Sequence, residues 1–191
     1  MSNEMVRGYL VAQALEFVRS HCTPAARDRI DAQLSSQFRS ALTNLTPAGW
    51  SPRRHMGEIL NALASTAGSE EARYQQLCAC GEYINQRTSN EFTALVYGIL
   101  TPELFVRKLP RFWQREHQGE ARCVLDAAAE PGRASFTLVG VEGYDHIGVM
   151  WLGWMKGALG QMRSAAVELT QNGWSPASPA PQAIRYEMRW S

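Results

Sequence analysis

The sequence has no excess of charge of either sign. Its 191 residues include 19 Lys or Arg and 18 Asp or Glu, which gives a formal net charge of +1. A chain with this balance has no overall attraction for a phosphate backbone, so we predict that it does not bind nucleic acid. No stretch approaches the ~18 consecutive apolar residues of a membrane span, and the polar first residues lack the apolar segment of a secretory signal. These absences predict a cytoplasmic protein.

Cysteine and catalytic motifs are also scarce. The four Cys residues are irregularly spaced, which favours free thiols in a reducing compartment. Cys78 and Cys80 are two positions apart on a predicted helix, so their sulfur atoms lie roughly 200° apart around its axis and are unsuited to chelating one metal ion. The four His residues show no metal-ligand spacing. Because no nucleophile elbow or glycine-rich phosphate loop is present, we predict neither an enzyme nor a metal site.

Apolar and aromatic residues, by contrast, are plentiful. The chain is 45% hydrophobic and contains six Trp, six Tyr and six Phe, an ordinary globular mixture with ample bulk for a core. The length suits one domain over residues 1–191. We predict that this domain has a helical part (1–117) and a sheet-containing part (118–191).

The first 117 residues have the apolar spacing of about six amphipathic helices. Three start signals are a cap residue followed by proline, at Thr23-Pro24, Ser51-Pro52 and Thr101-Pro102. The predicted helices are residues 5–19, one bearing Ile30, Leu34 and Phe38, one from Ser51-Pro52 to before Gly68, one bearing Tyr74, Leu77 and Ile84, one opening near Ser89 or Asn90, and one from Thr101 with a bend at Pro110. On this last helix Arg107, Arg111 and Arg115 predict a solvated face.

After Gly119 the spacing changes to the alternation of strands. Residues 123–128 and 133–141 predict a hairpin around Glu130-Pro131-Gly132, which is turn chemistry. A helix over residues 147–163 and strands over 165–171 and 182–190 follow. The order predicts an α+β fold: a helical layer, then a small antiparallel ββαββ sheet with one helix rich in Gly and Trp.

The helix rich in Gly and Trp carries four glycines, including Gly153 and Gly157. Each glycine weakens a helix by roughly 1 kcal/mol relative to Ala, so their presence predicts close approach of another backbone or of a ligand. Packing on the sheet, a ligand surface and a homodimer contact through Gly153 and Gly157 are the alternatives.

Aromatic residues near this helix predict a ligand pocket, because such sites have aromatic walls and a few polar groups. The candidate pocket residues are Phe112, Trp113, Tyr144, His146, Trp151 and Trp154. His146 is included because Tyr144-Asp145-His146 lies where the hairpin leads into the helix. The alternative is that these side chains only fill the core.

Several segments together resemble a known family. They are Thr101-Pro-Glu-Leu-Phe-Val-Arg-Lys-Leu-Pro-Arg-Phe-Trp113, Leu152-Gly-Trp-Met-Lys-Gly-Ala-Leu159, Tyr186-Glu-Met-Arg-Trp190, Val6-Arg-Gly-Tyr-Leu10 and Gly49-Trp-Ser-Pro52. The chain resembles, over nearly its whole length, a paralogous family of myxobacterial proteins that is distantly similar to the 4-vinyl-reductase and haem-nitric-oxide-binding domains. The resemblance implies the ligand-binding fold shared by nitric-oxide sensors and Golgi-transport subunits, with a cavity between helices and sheet.

The resemblance also sets an expectation about cofactors. The haem branch holds the propionates with a Tyr-x-Ser-x-Arg signature, and the nearest match, Tyr186-Glu-Met-Arg-Trp190, lacks both the Ser and the correctly placed Arg. No Cys follows Cys123, although relatives often carry one before the last strand. We therefore predict no cofactor, and these departures disfavour haem.

The resulting hypothesis is a non-enzymatic sensory or adaptor domain that binds a small apolar ligand or a protein partner in signalling. A homodimeric regulatory subunit that acts through its surface is the first alternative. A haem- or metal-dependent sensor, or a reductase-like enzyme in which His146 and Cys123 would be the residues to mutate, is the second.

Overall fold

The computed structural model describes residues 4–88, 97–126, 131–162, 166–179 and 181–191. Its elements are, in chain order, β1 (Met5–Arg7), α1 (Gly8–His21), α2 (Pro24–Gln33), α3 (Ser36–Leu42), β2 (Trp50–Pro52), α4 (Arg53–Ser65), α5 (Glu70–Thr88), α6 (Pro102–Glu116), β3 (His117–Gln118), β4 (Arg122–Leu125), β5 (Arg133–Val139), α7 (Ile147–Leu159), β6 (Val167–Asn172) and β7 (Ala183–Trp190). Among these described elements, no helix is long and apolar enough to cross a membrane.

Two helices begin at the predicted cap residues. The Thr23 hydroxyl accepts a hydrogen bond from the amide of Ala26, and Thr101 does the same for Leu104, both at 3.3 Å. In each case proline follows at the first helical position, where its missing N–H costs nothing and its fixed φ suits the helix. These caps satisfy amides that the first turn leaves without an intrahelical partner.

Other boundaries differ from the prediction. The first helix begins at Gly8, because Met5–Arg7 is a strand. The predicted helix bearing Ile30, Leu34 and Phe38 is two helices, since the chain is extended at Leu34 and the Ser35 hydroxyl caps α3. The predicted start near Ser89 lies outside the described residues, although residues 97–99 are helical.

A three-stranded antiparallel sheet in the order β2-β1-β3 was not predicted. Its strands have two or three residues, which is too short for alternation to be recognised. Val6 pairs with Ser51 on one side and with His117 on the other. This pairing fixes the end of α6 against the beginning of α1.

The second sheet is antiparallel in the order β4-β5-β7-β6. This arrangement confirms the predicted α+β class, and the ββαββ layout describes it approximately. Phe136 and Tyr186 lie opposite each other in the register and are fully buried. The Tyr186 hydroxyl donates a 2.9 Å hydrogen bond to the Gly148 carbonyl, so α7 covers this face of the sheet.

Helix α7 packs against α5 on its other side, where the two backbones touch. A Cβ atom at Gly153 would overlap the Cys78 carbonyl oxygen, and one at Gly81 would overlap the Met150 carbonyl oxygen. At Gly157 a Cβ would lie 3.1 Å from Asn85 Cβ. Gly153 and Gly157 therefore serve close packing within the chain, and this face of α7 is not open to a second copy.

Candidate functional site

Helices α1, α6 and α7 enclose a small apolar cavity, called here the aromatic cavity. Its lining residues are Leu10, Phe112, Trp113, Glu116, His117, Met150, Trp151 and Trp154. Its volume is about 20 Å³. Trp113 meets Trp151 edge to face at 5.2 Å between ring centroids, and Phe112 meets Trp154 at 5.9 Å. Such edge-to-face contacts are favourable aromatic arrangements, so the walls of this cavity are closely packed.

His117 is a polar side chain in the wall of the aromatic cavity, and one of its ring nitrogens makes no hydrogen bond to the described residues. It stacks on Trp113 with ring centroids 3.7 Å apart, and its Nδ1 lies 3.2 Å from the Trp113 carbonyl oxygen. Burial lowers its pKa to about 3, so the ring is neutral and Nδ1–H donates to that carbonyl. Nε2 is buried and has no hydrogen-bond partner among the described residues.

A larger opening, called here the outer pocket, lies beside the aromatic cavity. Its volume is about 560 Å³, within the range of ~300–1,000 Å³ typical of small-molecule sites. Its described lining residues are Arg7, Tyr9, Gln13, Pro47, Ala48, Thr88, Tyr97, Arg115, Glu116 and Trp154. Glu116 and Trp154 line both spaces, so the two together form a polar entrance and an apolar interior.

Glu116 is the buried carboxylate between these two spaces. One oxygen, Oε1, accepts a 2.6 Å hydrogen bond from Arg115 Nε, and Oε2 accepts one from the Tyr9 hydroxyl. Burial is the main cause that raises the pKa of Tyr9, and the neighbouring Glu116 charge adds to it. Tyr9 therefore remains a neutral donor, and both oxygens of Glu116 have partners.

Arg7 supplies a second cation to the outer pocket. Its Nε donates to the Arg115 carbonyl and its Nη1 to the Ala48 carbonyl, both at 3.2 Å. Its guanidinium lies 4.0 Å from the centroid of the Trp50 ring, a favourable cation–π distance. Because both acceptors are neutral, the Arg7 charge is held in place but not compensated by a carboxylate of the described residues.

Four of the six side chains expected to form the pocket line the aromatic cavity: Phe112, Trp113, Trp151 and Trp154. Tyr144 lies nearby, with its ring centroid 6.0 Å from that of His117. It is fully buried beneath the Arg53 guanidinium, which is 5.1 Å from its ring centroid. Burial raises the pKa of Tyr144, so its hydroxyl stays protonated.

His146 lies apart from this cavity, at the beginning of α7. Its φ is 59°, which is uncommon for a residue other than glycine. Its amide donates to the Pro179 carbonyl at 2.9 Å, and its Nδ1 is 3.4 Å from Trp174 Nε1. Burial lowers its pKa to about 4. These contacts give His146 a part in shaping the loop rather than in lining the cavity.

Sequence reasoning did not find the polar half of the site. Arg7, Tyr9 and Glu116 converge from residues more than 100 positions apart, and no local pattern signals such a pairing. A charged residue at the end of an otherwise apolar helix stripe, as at Glu116, was the one available signal. His117 was recognised only as an isolated histidine without ligand spacing.

Comparison with solved structures identifies the fold as that of H-NOX domains. Similar chains include an Fe(II) unliganded H-NOX protein from K. algicida (TM-score 0.70, 10% identity, 97% of this chain and 96% of that one). An oxygen-binding H-NOX domain related to soluble guanylate cyclases is also similar (TM-score 0.59, 10% identity, 97% and 95%). No protein-family model and no curated protein sequence matches the chain. The likeness bears out the distant similarity to haem-nitric-oxide-binding domains and, at this identity, establishes the fold.

The prediction of no cofactor is overturned by these comparisons. A third structure of the same fold concerns haem redox potential and porphyrin distortion (TM-score 0.59, 13% identity, 97% of this chain and 95% of that one), so haem is described with a chain of this fold. His117 fits an iron ligand, because a neutral imidazole that donates Nδ1–H to a carbonyl leaves Nε2 free to coordinate. The space does not fit: the aromatic cavity of about 20 Å³ leaves no room for a porphyrin among the described side chains.

Proposed function

We propose that this chain is a non-catalytic sensory domain that binds a small ligand through the outer pocket and the aromatic cavity. The observation that carries the proposal is the adjacency of these two spaces where the helical part meets α7. The fold gives independent support, because an H-NOX domain of this fold is described as oxygen binding.

A ligand bound in these two spaces would alter contacts in both the helical part and the sheet-containing part of the protein. Trp154 belongs to α7, which packs on the sheet and on α5, whereas Glu116 ends α6 and is bonded to Tyr9 at the beginning of α1. A ligand that displaced either side chain would change contacts in both directions. This arrangement suits signalling by a shift between two packings rather than by turnover.

Haem is the first ligand to test, with His117 as the residue that would bind the iron. The side chains of the aromatic cavity, Trp151 and Trp154 among them, would have to move to admit it. What the chain itself contributes is a neutral imidazole, fixed through Nδ1 by the Trp113 carbonyl, and an apolar wall that excludes water.

The test is native mass spectrometry of freshly purified protein, compared with its denatured mass and followed by titration with haemin under reducing conditions. We expect a stoichiometric bound mass. If that mass is haem, a Soret band should accompany it and His117→Ala should remove the band. His21→Ala is the matched control, because His21 is an exposed histidine away from both spaces. A bare mass with neither haem uptake nor stabilisation by any ligand in a small-molecule panel would contradict the proposal.

A further inference from the structure

The lining residues of the outer pocket indicate the chemical class of the ligand more specifically than those of the aromatic cavity do. We infer that the outer pocket binds the carboxylate of a small aromatic acid, with Arg7 as the residue that receives the anion. This inference rests on the proposed function, since it names the ligand of the same site.

The first step is the charge of the pocket. Its described lining includes two guanidinium groups and one carboxylate. Arg115 lies 2.6 Å from Glu116 Oε1 and forms an ion pair with it, so these two charges compensate each other. Among the described residues, the acceptors of Arg7 are backbone carbonyls. The described lining therefore keeps one positive charge without a carboxylate partner, which favours an anionic ligand.

The second step is the rigidity of Arg7. Two carbonyl acceptors and the face of Trp50 hold the guanidinium in one orientation. Its Nη2 makes no hydrogen bond to the described residues, so part of the donor fork remains for a ligand. Planar guanidinium groups bind carboxylates through paired N–H donors. Since the side chain is already ordered, little rotamer entropy is lost on binding.

The third step is a polar atom that lacks a partner. Gln13 Oε1 is buried at this pocket and accepts no hydrogen bond from the described residues. A buried acceptor without a donor is costly, on the order of 1–3 kcal/mol. Because Gln13 lines the pocket, a small rotation of its side chain would bring this oxygen to a ligand N–H or O–H and remove that cost. The Trp154 ring and the Pro47 and Ala48 side chains offer an apolar wall for a flat hydrocarbon.

Together these features describe a ligand with a carboxylate, a flat apolar ring and a hydrogen-bond donor. Indole-3-acetate is a suitable probe, because it combines a carboxylate, an aromatic ring and an N–H group. Indole-3-acetamide and tryptamine share the ring and the N–H but replace the carboxylate with a neutral amide and a cation. The three compounds therefore isolate the contribution of the negative charge.

The experiment is calorimetric titration of haem-free, full-length protein with each compound, at low and at physiological salt. We expect indole-3-acetate to bind about tenfold or more tightly than the amide, as one uncompensated ion pair in a pocket allows, and tryptamine to bind most weakly. Arg7→Gln should remove the preference for the acid. Arg122→Gln, an exposed arginine on β4, is the matched control and should retain it.

Equal binding of the acid and the amide to the unaltered protein would overturn the inference and leave the proposed function standing. Failure of all three probes, in protein that takes up haem or carries a bound mass, would have the same meaning. Failure of the probes together with no uptake of any other small molecule would contradict both. Because the comparison of acid and amide uses the unaltered protein, it holds even if Arg7→Gln does not fold.

Discussion

Helices α6 and α7 both border the aromatic cavity, but the fold covers them to different extents. Helix α6 buries Phe105, Leu109 and Trp113 and leaves Leu104 and Arg111 exposed. Helix α7 is buried almost all round, with every residue from Ile147 to Met155 buried. An amphipathic helix buries one face against a single neighbouring layer, and its sequence shows which face that is. A helix that is apolar all round needs neighbouring layers on two sides. In α7 these layers are the sheet and α5.

Removing the largest cavity-lining side chain of α6 should have the largest effect. Trp113 is 1% exposed, stacks on His117 and donates from Nε1 to the Ala121 carbonyl at 2.8 Å. We expect Trp113→Ala to lower the free energy of unfolding by about 3–5 kcal/mol, measured by urea denaturation. Leu104→Ala, on the exposed face of the same helix, should change it by less than about 0.5 kcal/mol. Equal effects would show that α6 is not packed as described.

On α7 the sensitive positions should be the smallest residues rather than the largest. Gly153→Ala places a methyl group on the Cys78 carbonyl oxygen, so α5 and α7 must separate. We expect a loss of about 3 kcal/mol in urea denaturation, the upper range for overpacking. Gly57→Ala in α4 is the control, because its added Cβ meets nothing within 4 Å. It should stabilise the protein by about 0.5–1 kcal/mol through helix propensity.

A stable Gly153→Ala variant would contradict the contact between the α5 and α7 backbones. It would also return that face of α7 to consideration as a surface for a second copy. Size-exclusion chromatography with light scattering would compare the mass of this variant with that of the unaltered protein. A change from dimer to monomer would assign this face of α7 to a homodimer contact, whereas a contact within the chain leaves the mass unchanged.

The same contrast explains what the sequence could predict. The stripe and cap of α6 gave its position and its buried face, and the glycines of α7 correctly indicated close approach of a backbone. The sequence could not show that the approaching helix is α5. Gly81 and Gly153 are 72 positions apart, and a glycine has no side chain that could reveal its partner. Phe112 with Trp113, and Trp151 with Trp154, were singled out because each pair lies close together in the sequence. Arg7, Tyr9 and Glu116 were missed because their convergence depends on β1 pairing with β3, two strands too short to recognise.

The two helices can finally be compared through the histidines beside them, His117 after α6 and His146 before α7. Burial lowers their pKa values to about 3 and about 4, below the ordinary value of about 6.5. Between pH 6.5 and 5 the unfolded chain therefore binds protons that the folded protein does not, so stability falls as the pH falls. Each histidine should contribute about 2 kcal/mol to this loss, and neither should contribute above pH 7.

Urea denaturation of the haem-free protein at pH 7, 6 and 5 measures this dependence. His117→Phe keeps an aromatic ring against Trp113, and His146→Asn keeps a residue that tolerates positive φ. Each variant should remove its own contribution of about 2 kcal/mol between pH 7 and 5, whatever its effect at pH 7. Part of the slope should remain in either variant, because burial also lowers the pKa of His55. If His117→Phe leaves the slope unchanged, the imidazole is already accessible to protons, and the aromatic cavity is open to water rather than closed by Trp113 and Trp151.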